Sequence, residues 1–313
     1  MNDTVYDVAM IGGGPSALSA AVYTAREDLR TVILEKAVVG GMAAITDQID
    51  NYPGFANGVP GMELADQLQK QAERFGATIE YATVESITKD GDIAVVKTDM
   101  GDIRARALLI ATGSDYNKIN VPGEAEYYAR GVHYCATCDG AFYRGKKLAV
   151  VGGGNSGVQE AIFLTRFASH IDLLVRSTVK ASGVLQKELQ KFVDEGKVTV
   201  HLGTTINEIK AVDGKVSAVD VNENGEQRDI AVDGVFIFVG LKPNTQFLAG
   251  TPVELDEQGL IKTDITYHTT MPGVFASGDV RSGATMQVAS AVGEGASAAL
   301  AVRYYLEDLE RSK

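Results

Sequence analysis

The sequence predicts an α/β protein with two Rossmann-like nucleotide-binding domains, each of three layers (ββα), the second inserted in the first. Three observations point there. The chain has 313 residues, too many for one comfortable core and enough for two domains. Two segments repeat the order apolar strand, glycine turn, helix, apolar strand: VYDVAMIGGGPSALSAAVYTAREDLRTVILEK and KKLAVVGGGNSGVQEAIFLTRFASHIDLLVRS. The chain also holds 34 glycines against 7 prolines, which suits nucleotide-binding turns better than disorder.

The first repeat carries Gly12, Gly14 and Ala17 in a G-x-G-x-x-A turn. The first glycine makes the tight turn and the second admits a pyrophosphate. The third small residue lets helix and strand pack closely. The phosphate then faces unpaired N–H groups at a helix N-terminus. The closing strand ends in Glu35, 23 residues after Gly12. A carboxylate there accepts hydrogen bonds from ribose hydroxyls, which suits the adenosine diphosphate half of FAD.

The next stretch, YATVESITKDGDIAVVKTDMGDIRARA, alternates about DG turns and predicts a β-meander. ALLIATGSD (107–115) is a buried strand ending at Thr112-Gly113, and GVFIFVGLKPN (234–244) is its counterpart. The second repeat opens with Gly152, Gly154 and Gly157, and its strand ends LLVRSTVK without an acid. Arg176, Ser177 and Lys180 stand where a 2′-phosphate would be neutralised. A second meander, TINEIKAVDGKVSAVDVNENGEQRDIAV, follows. After residue 245 no third unit begins. A strand, a Gly-Asp turn and a long helix rich in small residues return to the first domain. The expected boundaries are 1–115 and 245–313 for an FAD-binding domain, and 116–244 for an NAD(P)H-binding domain carrying the cysteines.

Cys135 and Cys138 are the only cysteines. A disulfide across so short a loop stabilises little. A zinc site needs about four ligands, and the 4 histidines show no partner spacing, so no metal is expected. What remains is a dithiol/disulfide that exchanges electrons, with a thiolate favoured at a helix N-terminus. Asp139 follows directly. It is a candidate proton donor or acceptor, or an N-cap of the next turn.

The net charge of −12 argues against nucleic acid and against an anionic membrane surface. No apolar run reaches the roughly 18 residues of a spanning helix. MNDTVYDVAM lacks the basic and apolar regions of a signal peptide. A cytoplasmic location is the expectation.

The chain resembles the low-molecular-weight thioredoxin reductases, class II flavoproteins of the pyridine nucleotide-disulfide oxidoreductase family, over its whole length. The resemblance is carried by GGGPSALSAAVYTAR, GGMAAITDQIDNYPGF, ATGSDYNKINVPGE, CATCDGAFYRGKKLAVVGGGNSGVQEA, VGLKPNT and PGVFASGDV. VLQKEL and GEGASAALA are similar to the reductase portion of the alkyl hydroperoxide reductase flavoprotein.

The resemblance implies a homodimeric thioredoxin-disulfide reductase. It passes electrons from NAD(P)H through FAD and the Cys135–Cys138 disulfide to thioredoxin or a similar small CxxC protein. It implies FAD contacts at Gly12, Gly14, Pro15, Ser16 and Ala17, and at Glu35, Lys36, Gly41, Met42, Asn51 and Val84. Further FAD contacts are implied at Ala111, Thr112, Gly113, Gly278, Asp279, Met286, Gln287 and Val288. The nicotinamide nucleotide would lie against Gly152, Gly154, Asn155, Ser156, Gly157, Arg176, Ser177 and Lys180. By the same analogy Cys138 is nearer the flavin, Cys135 attacks thioredoxin and Asp139 assists proton transfer.

Three positions depart from the family pattern. Val175-Arg176-Ser177 replaces a His-Arg-Arg run, so one arginine is kept and one is lost; Lys180 can add a point charge. The donor is open between NADPH and NADH. Ferredoxin or reduced flavin as donor, and a glutaredoxin-like or peroxiredoxin partner, are the alternatives. Met42 stands where glutamine is usual, and Thr285-Met286-Gln287 replaces aromatic-Arg-Gln. Ferredoxin–NAD(P)⁺ reductases share the scaffold but lack the C-x-x-C. A flavin-binding sensor without turnover is the remaining rival.

Overall fold

The structure, a computed structural model, describes residues 4–46 and 48–312. The chain divides into two units, Met1–Asp115 with Lys242–Lys313, and Tyr116–Leu241.

The first unit is built on a parallel sheet. Its central strands are Val5–Ile11 and Gly101–Ile110, with Thr31–Glu35 and Thr78–Tyr81 on one side and Val274–Ala276 on the other. Residues 8–11 and 107–110 and the strands Thr31–Glu35 and Val274–Ala276 are buried throughout, because both faces of the sheet are covered there. Val8 and Met10 face one apolar cluster with Leu18, Leu109 and Phe275, while Ala9 and Ile11 face another with Leu34, Val96 and Ile110. The first cluster is roofed by helices Pro15–Arg26, Gly61–Arg74 and Val288–Arg311. The second is covered by the meander strands Val84–Asp90 and Ile93–Thr98, antiparallel to each other, with Ile93–Thr98 also antiparallel to Gly101–Ile110. Truncating a fully buried side chain such as Met10 or Leu18 costs about 2–5 kcal/mol.

The first helix starts cleanly. Gly14 is extended at the N-cap and Pro15 occupies the first turn, where its missing N–H costs nothing. Its small residues meet those of the last helix at close range. A Cβ on Gly295 would stand 2.0 Å from the Ser16 carbonyl oxygen, so only glycine permits this approach.

The second unit repeats the plan. Its parallel sheet runs Val132–His133, Gly234–Ile237, Lys147–Val151, His170–Val175, Val198–Leu202. Helices Asn155–Leu164 and Gly183–Asp194 pack on one face, against Leu148, Val150, Ile171 and Leu173. The meander Thr204–Val212, Lys215–Glu223, Glu226–Ala231 covers the other, against Ala149, Leu174 and Val235. Its hairpins turn at Asp213-Gly214 and Asn224-Gly225, all four residues at positive φ, as a two-residue hairpin requires. Buried His201 ties sheet to meander. Its Nε2 is 2.8 Å from Asp172 and its Nδ1 3.0 Å from Glu223. Hydrogen bonding to Asp172 leads the effects that raise its pKa.

Each unit closes on itself where the chain crosses. Asn117 N donates to Gly240 O at 3.0 Å in the second unit, and Asn244 N to Gly113 O at 3.1 Å in the first. Among the described residues no helix is long and apolar enough to cross a membrane.

Candidate functional site

Cys135 and Cys138 are joined in a disulfide with Cα atoms 5.3 Å apart. Cys135 is extended and caps the short helix Ala136–Asp139, its sulfur accepting from Cys138 N at 3.2 Å. Asp139 closes the helix and makes no side-chain cap bond to the turn that follows. Its Oδ2 instead stands 3.1 Å from His133 Nδ1. On the far side of that ring, Nε2 is 2.7 Å from the Tyr143 hydroxyl.

The His133 ring is only 6 % exposed. It stacks on Phe236 with centroids 5.0 Å apart and meets Tyr143 edge-on at 5.3 Å. Gly234 makes the room, since a Cβ there would fall 2.5 Å from the Tyr143 ring. Burial first, then the charges of Asp139 and Asp233, hold the Tyr143 phenol well above its usual pKa, so it stays protonated. Sequence reasoning missed both His133 and Tyr143. The available signal was period two: His133 precedes Cys135 by two residues on extended chain.

In the first unit the glycine turn forms a cradle. Gly12 has φ +96°, and a Cβ there would stand 2.5 Å from Ala111 O. Nothing lies within 4 Å of the Cβ position of Gly14, which leaves the helix N-terminus open to an anion. Ser16 shares a 2.7 Å hydrogen bond with Ser277, and Ala17 is fully buried. Glu35 is buried at the end of its strand and accepts from Gly13 N at 2.7 Å and Ala37 N at 2.8 Å. Each carboxylate oxygen retains a further lone pair for a ribose hydroxyl.

Gly41, with φ +53°, approaches Gly14, its Cβ position lying 3.8 Å from Gly14 Cα. Asn51 Nδ2 donates to Gln287 Oε1 at 3.0 Å. Gln287 is the extended N-cap of the last helix, preceded by Met286 at φ +56°, and Val288 begins the helix. Thr112 Oγ1 donates to Asn244 O at 2.8 Å, and Gly113 turns at φ +64°. Lys36 and Met42 are exposed. Val84 packs on the apolar cluster beneath the meander.

Asp279 bears most directly on a ligand. Burial, then the charge of Glu294, pushes its carboxyl up to about 6. Its carboxylate finds no hydrogen-bond donor among the described residues; only its backbone carbonyl is engaged, by Ser114 Oγ at 2.6 Å. A desolvated carboxylate without a donor is costly, and a polyol hydroxyl fits it. The turn is held by residues the sequence did not reveal. Glu294 accepts from Gly278 N at 2.9 Å and from Arg281 at 3.1 and 2.7 Å.

The second glycine turn is equally constrained. A Cβ on Gly152 would lie 2.3 Å from Phe238 O, and one on Gly157 2.4 Å from Gly152 O. The Cβ position of Gly154 is open, above the helix begun by Asn155 and Ser156. Asn155 Oδ1 accepts from Ser182 N at 2.8 Å, and Lys180 N donates to Gly153 O at 2.7 Å. These bonds lay the loop after strand His170–Val175 beside the turn. Arg176, Ser177 and Lys180 are exposed on that loop. No described acid pairs with the two cations. No described group of three or more His, Cys, Asp or Glu is arranged for a metal.

The pyridine nucleotide-disulphide oxidoreductase family model matches residues 6–295. The thioredoxin reductase of Bacillus subtilis (strain 168) is 39 % identical over 313 residues, covering 99 % of this chain and 98 % of that protein. That of Listeria innocua is 38 % identical over 313 residues, covering 99 % and 97 %. The crystal structure of thioredoxin reductase from Streptococcus pyogenes MGAS5005 superposes with a TM-score of 0.92 at 39 % identity, over 98 % of this chain and all of that one. The chain belongs to the pyridine nucleotide-disulphide oxidoreductase family, on its thioredoxin reductase branch.

Proposed function

We propose that the protein is a thioredoxin-disulfide reductase that uses NAD(P)H and FAD and acts on thioredoxin or a similar small CxxC protein. The carrying observation is the Cys135–Cys138 disulfide at a helix start, in a chain similar to thioredoxin reductases along almost its whole length. FAD, when bound, accepts hydride and passes electron pairs on.

The unit Met1–Asp115 with Lys242–Lys313 holds FAD. Gly12 and Gly14 give its phosphates access to helix N–H groups, Glu35 accepts from a ribose hydroxyl, and Asp279 accepts from a polyol hydroxyl. The unit Tyr116–Leu241 holds the nicotinamide nucleotide at Gly152, Gly154 and Gly157. Cys138 takes the electron pair, Cys135 attacks the partner's disulfide and Asp139 moves the proton. Homodimer formation and a cytoplasmic location complete the reading, carried by the resemblance.

Arg176 and Lys180 are exposed without acidic partners among the described residues, which favours a 2′-phosphate and so NADPH. The loss of a second arginine at Ser177 favours tolerance of NADH. The test is anaerobic stopped-flow mixing of the flavin-loaded protein with each nucleotide, then with oxidised thioredoxin. The expected result is flavin bleaching, faster with NADPH, followed by thiols on thioredoxin. Bleaching by neither nucleotide, or bleaching without thiols, overturns the proposal.

A further inference from the structure

We propose that His133 is a positioning residue for Asp139: its Nδ1–H holds one carboxyl oxygen, leaving the other to carry the proton for the sulfur released when the Cys135–Cys138 disulfide opens. The inference rests on the proposed disulfide exchange and deepens it.

The partners on the two ring nitrogens fix the tautomer. The Tyr143 phenol stays protonated, and among the described residues its hydroxyl has one hydrogen-bond partner, His133 Nε2, at 2.7 Å. The carboxyl oxygen beside Nδ1 accepts, which puts the ring proton on Nδ1 and leaves Nε2 to accept from the Tyr143 O–H. Nδ1 is the nitrogen 3.1 Å from Asp139 Oδ2. The ring cannot turn away, packed between Phe236 and Tyr143. Asp139 Oδ1 has no partner among the described residues, and the side chain is 22 % exposed. One oxygen is therefore anchored and one is free. The other titratable groups whose charges bear on this cluster are Tyr128 and Asp233, and neither is changed in the test.

The step balances with a dithiol as reductant. The incoming thiolate's electron pair forms a new S–S bond to one cysteine sulfur. The Cys135–Cys138 bond breaks, and its pair leaves on the other sulfur. Asp139 gives that sulfur its proton and becomes a carboxylate facing His133 Nδ1–H. The dithiol's second thiolate then closes on the mixed disulfide, releasing the reduced cysteine pair and a cyclic disulfide.

The experiment opens the disulfide of the holoprotein with dithiothreitol across pH 5–9, traps thiols with iodoacetamide and counts them by mass. Asp139→Asn is expected to slow opening about 100-fold, the low end of general acid assistance. His133→Gln keeps a group for Tyr143 but loses the donor at the Nδ1 place. It is expected to slow opening about tenfold, the worth of one donor to a charged acceptor. His133→Asn returns an amide N–H to the Nδ1 place and restores most of the rate. The double variant His133→Gln/Asp139→Asn is expected to be no slower than Asp139→Asn alone.

A slow Asp139→Asn with His133→Gln matching wild type at every pH overturns the positioning role and leaves the proposed function standing. Multiplying effects in the double variant do the same. An Asp139→Asn without effect removes the acid role from Asp139 itself. If His133→Gln does not fold, Tyr143→Phe carries the test, with a smaller slowing expected. A wild-type profile in Tyr143→Phe then overturns the proposal.

Discussion

Replacing Asp279 with asparagine should stabilise the flavin-free protein, increasingly so as pH rises from 3.8, where the unfolded chain ionises this carboxyl, to about 6. Its pKa is raised from 3.8 to about 6, by burial first and Glu294 second. The folded state holds this proton more tightly than the unfolded chain does. The stability it contributes is complete below pH 3.8 and is lost as pH rises through about 6. Two pKa units correspond to about 3 kcal/mol, an upper bound because the asparagine amide is also desolvated. The gain from Asp279→Asn is therefore about 3 kcal/mol above pH 7 and about half that at pH 5. Urea unfolding of flavin-free wild type and variant at pH 7.5 and pH 5 measures it. A larger midpoint gain at pH 7.5 is expected. Equal shifts at the two pH values, or a loss at pH 7.5, refute the reasoning. The same variant should bind flavin more weakly, because a neutral amide accepts from a hydroxyl less strongly than a carboxylate.

Three further outcomes follow from close contacts and chemistry. Gly295→Ala places a methyl 2.0 Å from Ser16 O and must push the first and last helices apart. About 1–3 kcal/mol of overpacking is expected, read as a lower melting temperature with reduced flavin retention. Gly157→Ala meets Gly152 O at 2.4 Å and should distort the second turn, raising the KM for the nicotinamide nucleotide while flavin content stays unchanged. Cys138→Ser should keep flavin bleaching by that nucleotide and abolish thiol formation on thioredoxin; retained transfer would break the proposed electron route.

Much of the fold was legible because its key positions tolerate one residue type. Gly12, Gly152 and Gly157 each face a carbonyl oxygen that would clash with any Cβ, so the glycine spacing carries the turn geometry directly. Asp213-Gly214 and Asn224-Gly225 declare their hairpins for the same kind of reason. The unread part consists of contacts between residues whose separation in sequence has no fixed meaning. Glu294 reaches back to Gly278 and Arg281 from the last helix, and no periodicity marks that pairing. His133 was obscured by its setting, a histidine among apolar residues that reads as core until Asp139 and Tyr143 are seen on its two nitrogens. Asp139 was open between cap and proton carrier; it stands at the start of the turn Gly140–Tyr143, but its side chain turns to His133 and makes no cap bond.

The closure of each unit at the chain crossings has a consequence for synthesis on the ribosome. Residues 4–115 emerge first but lack the strand Val274–Ala276 and the helix Val288–Arg311 that complete their sheet and roof. The segment Tyr116–Leu241 is continuous and contains every strand of its own sheets. It can finish folding while the host waits. Because Asn117 and Gly240 are bonded to each other in the finished insert, its folding returns the chain close to where it left. The late-arriving tail then searches a short loop instead of one longer by the whole insert, and the entropy of closure falls accordingly.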